Sequence, residues 1–211
     1  MKINGVVPEV GTKVGKEDQI HVDGKLVQDK QTPHVYLILN KPRGIVCTTD
    51  TKREKDNIID FMKFPERIFP VGRLDKASEG LIIMTNDGDI VNKILRARNN
   101  HEKEYIVRVN LPITQEFLER KRSGVTILDT VTRECVVEQL DRYKFRIILT
   151  QGLNRQIRRM CEYLGYEVKS LKRIRIMNLH LDVPIGHYRH FTQEEYDTLL
   201  ELCGDSAKTA D

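Results

Sequence analysis

The chain has 211 residues, of which 39% are hydrophobic and 31% are charged, and its formal net charge is +4. This composition is typical of one globular domain with a small addition, and it excludes a disordered, collagenous or coiled-coil protein. No apolar stretch approaches the roughly 18–20 residues of a membrane span, so we expect no membrane insertion. The first residues show no secretory signal pattern, which favours the cytoplasm.

The first 31 residues are polar and rich in turn-forming residues. Asn4-Gly5 and Asp23-Gly24 are typical turn pairs, and the short apolar pieces between them predict two or three small strands. A segment of this size cannot bury a core of its own. We therefore predict a small N-terminal appendage at 1–31, a main domain at 32–203 and a flexible tail at 204–211.

The main domain alternates short apolar strands with amphipathic helices. The predicted strands are 35–39, 44–48, 68–72, 81–85, 103–109, 131–139, 144–150 and 171–181. The predicted helices are 56–63, 88–97, 114–122, 154–164 and 192–202. Asn154 is predicted to cap the fourth helix, and Thr192 with Glu195 forms a capping box for the last. The irregular alternation predicts an α+β fold with a mixed, largely antiparallel sheet and flanking helices.

The sequence gives no sign of a metal or cofactor site. Its cysteines, which are Cys47, Cys135, Cys161 and Cys203, form no CxxC pair, and His187 and His190 are the only closely spaced histidines. The chain also lacks the glycine-rich motifs that hold dinucleotides or nucleotide triphosphates. We therefore predict neither a metal nor a cofactor.

Basic residues are concentrated between residues 151 and 175. The segment contains seven basic side chains and two acidic ones. Its helix carries an apolar stripe at Ile157, Met160, Cys161 and Leu164. Arg155, Arg158 and Arg159 lie off that stripe, near a helix end whose dipole disfavours cations. The pattern fits either a solvated helix face or contacts with phosphates and a buried carboxylate.

Two further positions are candidates for chemistry. Arg73 and Asp75 lie two residues apart in a loop between apolar strands, so an extended backbone directs them to the same side. An aspartate at this place can also be no more than a turn residue. Tyr105 shares a strand face with Val107 and Val109, and it can equally be a core tyrosine.

Three segments together resemble the motifs of the RsuA-type pseudouridine synthase family. They are GRLDKASEGLIIMTNDGD (72–89), EKEYIV (102–107) and QGLNRQIRRMCEYLGYEV (151–168), and NKPRGIVCT (40–48) and RIRIMNLHL (173–181) also match. The sequence of the third motif is most similar to the corresponding sequences in the F-type branch of the large-subunit ribosomal enzymes. Residues 1–31 resemble the later part of the alpha-L RNA-binding domain that usually precedes this catalytic domain.

The resemblance implies a role for several residues. Asp75 matches the catalytic aspartate of the family, acting as a nucleophile or a base, and Arg158 matches the arginine that pairs with it. Tyr105 matches the tyrosine that packs against the target base, and Arg73 matches the arginine beside the aspartate, which could replace the flipped base. The basic segment would supply phosphate contacts through Arg155, Arg159, Lys172, Arg173 and Arg175.

The resemblance thus predicts an RNA pseudouridine synthase that needs no cofactor and acts on a uridine in large-subunit ribosomal RNA. Some members of the F-type branch also act on tRNA. A non-catalytic RNA-binding or ribosome-assembly factor on the same fold, and a nucleoside glycosidase that pairs Glu79 with Asp75, remain as alternatives. We expect RNA as the partner and a monomer as the oligomeric state.

Overall fold

The computed structural model describes residues 1–15, 17–27, 33–95 and 101–205. These residues belong to two compact units, Met1–Pro33 and His34–Asp211. The boundary predicted between residues 31 and 32 lies outside the described residues, as do residues 96–97 of the second predicted helix.

The N-terminal unit is a small antiparallel sheet. Its strands are β1 (Lys2–Ile3), β2 (Ile20–Val22) and β3 (Lys25–Leu26), in the order β1-β2-β3. Asn4 ties the turns together, because its amide donates to Asp18 Oδ1 at 2.8 Å and accepts from the Gln19 amide at 2.8 Å.

The second unit contains the remaining strands and all described helices. Its strands are β4 (Tyr36–Lys41), β5 (Phe69–Val71), β6 (Glu79–Thr85), β7 (Lys103–Val109), β8 (Thr126–Ile127), β9 (Thr130–Val131), β10 (Val136–Asp141), β11 (Lys144–Leu149), β12 (Val168–Ile176), β13 (Leu179–His180) and β14 (Tyr188–His190). Its helices are α1 (Ile58–Met62), α2 (Gly88–Leu95), α3 (Gln115–Ser123), α4 (Gln156–Tyr163) and α5 (Gln193–Asp205). None of these helices combines the length and apolar character that a membrane crossing requires.

A nine-stranded sheet forms the centre of this unit. The strand order is β10-β11-β7-β12-β6-β4-β14, with β13 paired to β12 and β5 paired to β6. Only β6 and β12 run parallel, and the other described pairs in this sheet are antiparallel. The predicted α+β class with a mixed, largely antiparallel sheet is confirmed.

Apolar side chains bury both faces of the central strands. Leu81 and Ile83 of β6 pack with α2 and α5, whereas Ile82 and Met84 pack with α1 on the other side. Alternation to opposite faces explains why this strand is apolar throughout. A separate cluster joins β7, β10, β11 and β12 to α3 and α4, and Ile157 and Cys161 are its buried members from α4.

Several predicted elements differ from the structure. Residues 44–48 form no strand and make one isolated bridge, between Val46 and Asn57. The strand predicted at 131–139 is divided into β9 and β10, and a turn at Met177 divides the one predicted at 171–181 into β12 and β13. The short strands β8 and β14 were not predicted. The helix α5 continues to Asp205, so the first two residues of the predicted tail are helical, and 206–211 lie outside the described residues.

The two predicted helix caps have different outcomes. The capping box of α5 is confirmed, because Thr192 Oγ1 accepts from the Glu195 amide at 3.1 Å and Glu195 Oε2 accepts from the Thr192 amide at 2.8 Å. The predicted Asn154 cap of α4 is wrong. Arg155 is the N-cap residue, in a left-handed conformation with φ 50° and ψ 34° and with no side-chain cap.

Candidate active site

Asp75 lies in the segment that joins β5 to β6, a few residues before β6 begins. The Ser78 amide donates to the Asp75 carbonyl at 3.0 Å, which closes a tight turn over residues 75–78. The Asp75 side chain is 34% exposed and lines a cleft. A carboxylate is thus held at the start of a central strand and is accessible to a ligand.

The register of the sheet brings Tyr105 to the same cleft. Arg173 of β12 is opposite Tyr105 of β7 on one side and Gly80 of β6 on the other. The start of β6, which follows the Asp75 turn, is therefore separated from Tyr105 by a single strand. Tyr105 is half-buried, packs against the core clusters on either side of it and lines the cleft.

Glycine at position 80 permits this close approach of β6 and β12. Its φ is +110°, and a Cβ placed there would lie 2.2 Å from the Arg173 carbonyl oxygen and 2.7 Å from the Arg173 nitrogen. No side chain fits at such a contact with backbone. The site geometry thus depends on Gly80 as well as on the polar residues.

Arg158 is buried and binds the Asp75 turn from the α4 side. Its Nη2 donates to the Ala77 carbonyl and to Ser78 Oγ, both at 3.1 Å, and Nη1 donates to the Val168 carbonyl at 3.4 Å. Its Nε lies 3.8 Å from Asp75 Oδ2. Burial and, second, the charge of Arg155 lower the pKa of the Arg158 guanidinium, whereas Asp75 raises it. The expected ion pair of Arg158 with Asp75 is present at this separation.

Arg155 is a second cation beside Asp75. Its Nη1 lies 3.7 Å from Asp75 Oδ2, and its side chain is 42% exposed. The left-handed backbone at Arg155 costs free energy for a residue with a Cβ. In the loop around Arg155, Gln156 Oε1 accepts from the Leu153 amide at 3.1 Å.

The cleft combines this polar group with an apolar wall. Arg73, Asp75, Tyr105, Arg155 and Arg158 line it together. The apolar lining residues are Leu74, Leu149, Leu153, Ile157 and Leu171. Such a wall with a few convergent polar groups suits a planar, partly polar ligand such as a nucleobase.

The five predicted phosphate contacts have different positions in the structure. Arg155 is exposed, while Arg159 and Lys172 are half-buried. Arg159 donates to the Asn154 carbonyl and side chain at 3.1 and 3.2 Å. These three side chains remain accessible to an RNA backbone.

The structure offers no support for the predicted phosphate contacts of Arg173 and Arg175. Arg173 is only 4% exposed, and its Nε donates to the Leu81 carbonyl at 2.7 Å. Arg175 pairs with Glu104 at 2.7 Å and with Glu102 at 2.8 Å, and its side chain is 14% exposed. The Leu81 and Arg73 carbonyls accept from Arg173, and Glu102 and Glu104 accept from Arg175, so both guanidinium groups are engaged within the protein.

Sequence reasoning missed two residues at the end of β4. Lys41 is fully buried, and its Nζ donates to the Pro42 and Ile45 carbonyls at 2.8 Å each, which braces the following turn. Burial lowers the pKa of this ammonium. Arg43 lies on that turn and donates to the backbone carbonyls of Ala77 and Lys169. The sequence signal for Lys41 was a lysine at the end of an apolar strand.

In the described part of the chain, no three histidine, cysteine or acidic side chains are close enough together to hold a metal ion. The donors around the cleft are mainly guanidinium groups, which repel metal cations.

Comparison with known sequences decides the family. The sequence profile described as RNA pseudouridylate synthase matches residues 35–163, which include the Asp75 turn, Tyr105 and Arg158. The chain belongs to the RNA pseudouridine synthase family. The predicted enzyme class is thereby confirmed: the protein is an isomerase that converts uridine to pseudouridine in RNA.

Individual relatives of this pseudouridine synthase agree. It is 51% identical over 207 residues to the dual-specificity RNA pseudouridine synthase RluF of Escherichia coli K12, an alignment covering 97% of this chain and 71% of that protein. It is 35% identical to the ribosomal large subunit pseudouridine synthase B of Bacillus subtilis, over 100% of this chain and 88% of that one. A crystal structure of a pseudouridylate synthase superimposes with a TM-score of 0.76 at 30% identity, over 94% of this chain and 87% of the other.

Proposed function

We propose that Asp75 is the carboxylate that carries out the isomerisation. The observation that supports this most directly is the composition of the cleft: among its described lining residues Asp75 is the one carboxylate, and Tyr105 and Arg158 lie beside it. Asp75 acts on the ribose of the target, as a nucleophile at C1′ or as a base that removes a sugar proton.

The chemistry of the reaction needs no second carboxylate. The N1–C1′ bond breaks, the detached uracil turns within the cleft, and a C5–C1′ bond forms. The proton on C5 is lost and N1 gains one, so substrate and product have the same atoms and oxidation state. Glycosidases, in contrast, pair two carboxylates across the scissile bond. Glu79, the candidate partner of Asp75 in such an enzyme, is not among the described residues lining the cleft.

Arg158 and Tyr105 prepare the site for this step. Arg158 fixes the orientation of the Asp75 turn through Ala77 and Ser78. Tyr105 packs against the target base with its ring and takes part in proton transfer with its phenol, because that side chain is both apolar and hydrogen-bonding.

RNA must be distorted before its uridine reaches Asp75. A stacked base is extruded at a cost of about a few kcal/mol. The exposed guanidinium of Arg73, at the cleft, takes the place of the extruded base in the stack. Arg155, Arg159 and Lys172 bind the neighbouring phosphates.

The substrate we propose is a uridine in large-subunit ribosomal RNA, together with a uridine in tRNA. The names of the similar enzymes from Escherichia coli and Bacillus subtilis support dual specificity and the large subunit. We propose further that residues 1–31 are part of an alpha-L RNA-binding domain, that 32–203 are the catalytic domain, and that the protein acts as a monomer in the cytoplasm.

Tritium release tests this proposal. RNA labelled at uridine C5 loses tritium when C5 bonds to C1′, so wild-type protein is incubated with labelled ribosomal RNA and labelled tRNA, and Asp75→Asn is the matched variant. We expect release from both RNAs by the wild type and none by the variant, without free uracil. An active Asp75→Asn would refute the assigned carboxylate, and free uracil would indicate a glycosidase.

A further inference from the structure

Arg43 lies on the turn after β4 and reaches two segments that are distant in sequence, the Asp75 turn and the start of β12. Its Nε donates to the Ala77 carbonyl at 3.2 Å, and its Nη2 donates to the Lys169 carbonyl at 2.6 Å. Ala77 belongs to the Asp75 turn, and Lys169 belongs to the start of β12. A single exposed side chain therefore connects the catalytic turn to the sheet.

Arg158 connects the same two segments. It donates to the Ala77 carbonyl at 3.1 Å and to the Val168 carbonyl at 3.4 Å. Ala77 thus accepts from two guanidinium groups, the buried one of Arg158 and the exposed one of Arg43. The charge of Arg43 is one of the causes that lower the pKa of Arg158, after burial and Arg155. The Ala77 carbonyl is thus held from two elements, α4 and the turn after β4.

The backbone around Arg43 holds the same turn. The Gly44 amide donates to the Lys76 carbonyl at 2.8 Å, one residue before Ala77. Lys41 Nζ braces the turn that carries Arg43 by donating to the Pro42 and Ile45 carbonyls. The guanidinium of Arg43 therefore projects from a rigid base.

We propose that Arg43 is a positioning residue for catalysis, which fixes the 75–78 turn against β12 so that the Asp75 carboxylate stays aligned with the target ribose. This inference rests on the proposed role of Asp75. The contrasting interpretation of an exposed arginine near an RNA site is a phosphate contact. Arg43 differs from Arg159, whose two bonds both go to Asn154, because its two nitrogens donate to carbonyls of two distant segments, in the fork geometry that arginine provides and lysine does not.

The experiment separates the rate of chemistry from RNA affinity. Arg43→Ala and Arg43→Lys are compared with Lys169→Ala, which removes one positive charge beside the same turn but keeps the Lys169 carbonyl that Arg43 binds. The side chain of Lys169 pairs with Glu167 at 2.6 Å. Each full-length protein is assayed for tritium release under single-turnover conditions with protein in excess, for RNA affinity at several salt concentrations, and for its melting temperature.

We expect the single-turnover rate of Arg43→Ala to fall between about 10-fold and 100-fold, because small displacements of a reacting group reduce rates on this scale. Its RNA affinity and salt dependence should match those of Lys169→Ala, whose rate stays within about twofold of wild type. Arg43→Lys should not restore the rate. At a temperature well below the melting temperature of Arg43→Ala, millimolar guanidinium ion should partly restore its single-turnover rate. A rate that is lost because the protein unfolds would not be restored in this way.

A wild-type rate in Arg43→Ala, or a defect confined to RNA affinity, would overturn the inference and favour the phosphate contact. Asp75→Asn serves as the second reference in the same assay. If Asp75→Asn is inactive while Arg43→Ala is normal, only the role of Arg43 fails. If Asp75→Asn is active, the proposed function itself fails, whatever Arg43→Ala does.

Discussion

The guanidinium of Arg158 donates to the hydroxyl of Ser78 at 3.1 Å, and both of these buried residues line the cleft. This contact joins helix α4 to the turn that carries Asp75. Because the guanidinium is planar and rigid, it can bind Ser78, the Ala77 carbonyl and Asp75 together.

Arg158→Lys should therefore impair turnover. An ammonium cannot reproduce this set of contacts, and we expect kcat for tritium release to fall at least about tenfold, equivalent to about 1.4 kcal/mol of transition-state stabilisation. Arg122→Lys is the matched control, since Arg122 also donates to a backbone carbonyl, that of Val137, but does not line the cleft. Equal, wild-type values of kcat in both variants would contradict the role of Arg158.

Arg73→Ala should affect structured RNA more than a flexible oligonucleotide. Arg73 is proposed to stabilise the stack from which the uridine is extruded, and a short flexible RNA has no such stack to repair. We expect kcat/KM to fall about tenfold further on a folded ribosomal RNA fragment than on the short oligonucleotide. The same loss on both RNAs would show that Arg73 does not act in base flipping.

RNA binding should weaken with salt, and single basic residues should change that dependence. Lys172→Ala removes one accessible cation, so the slope of log affinity against log salt should decrease by about one. Arg159→Ala should act similarly. Affinity that is flat between low and physiological salt would exclude the proposed phosphate contacts, and an unchanged slope in Lys172→Ala would remove that residue from the set.

Gly80→Ala should destabilise the fold severely. The added Cβ would lie 2.2 Å from the Arg173 carbonyl, so β6 and β12 must separate. We expect a loss of more than about 3 kcal/mol in the free energy of unfolding, measured with urea. In the control Gly88→Ala the new Cβ has no neighbour within 4 Å, and helix propensity predicts equal or greater stability. Equal stability of the two variants would contradict the steric argument.

Glu104 should make a pH-dependent contribution to stability. Burial alone would raise the pKa of its carboxyl, but hydrogen bonds from Arg146 at 2.6 Å and Arg175 at 2.7 Å lower the pKa below the ordinary 4.5. A lowered pKa stabilises the folded state above the unfolded pKa, and this contribution is lost as the pH falls through the folded value.

Glu104→Gln should accordingly cost about 2 kcal/mol of unfolding free energy at neutral pH, the scale of hydrogen bonds to charged groups. The difference from wild type should shrink as the pH falls below 4.5. Urea unfolding over this pH range measures it. Glu116→Gln, at an exposed residue 3.8 Å from Arg120, should be nearly neutral throughout. A difference that is independent of pH would contradict the argument.

The sequence was sufficient to predict cleft residues that stand in local motifs. Asp75, Tyr105 and Arg158 stand in segments that are recognisable on their own, and the α+β class follows from the alternation of strands and helices. The failures concern contacts between distant segments. Arg173 and Arg175 resemble solvated cations until β12 is known to be a central strand, flanked by Gly80 on one side and Glu104 on the other.

The same reason explains why Arg43 and the α4 cap were missed. The acceptors of Arg43 are backbone carbonyls, which every residue has, so no residue type in the sequence marks them. Asn154 has the side chain of a good cap, but the loop places Arg155 at that position in a left-handed conformation. In both the cap and the divided strands, the tertiary structure overrides the local conformational preference of the residues.

The parallel pairing of β6 with β12 has a consequence for when the enzyme becomes active during its synthesis. Arg173 and the Leu81 carbonyl that it binds are 92 positions apart in the chain. Contacts of such long sequence separation form late, because closing the intervening loop costs entropy before any contact compensates for it. A nascent chain that ends at Tyr105 contains Asp75 but lacks β12, the strand that lies between β6 and β7 in the sheet. We therefore expect isomerase activity only from chains that extend through β12.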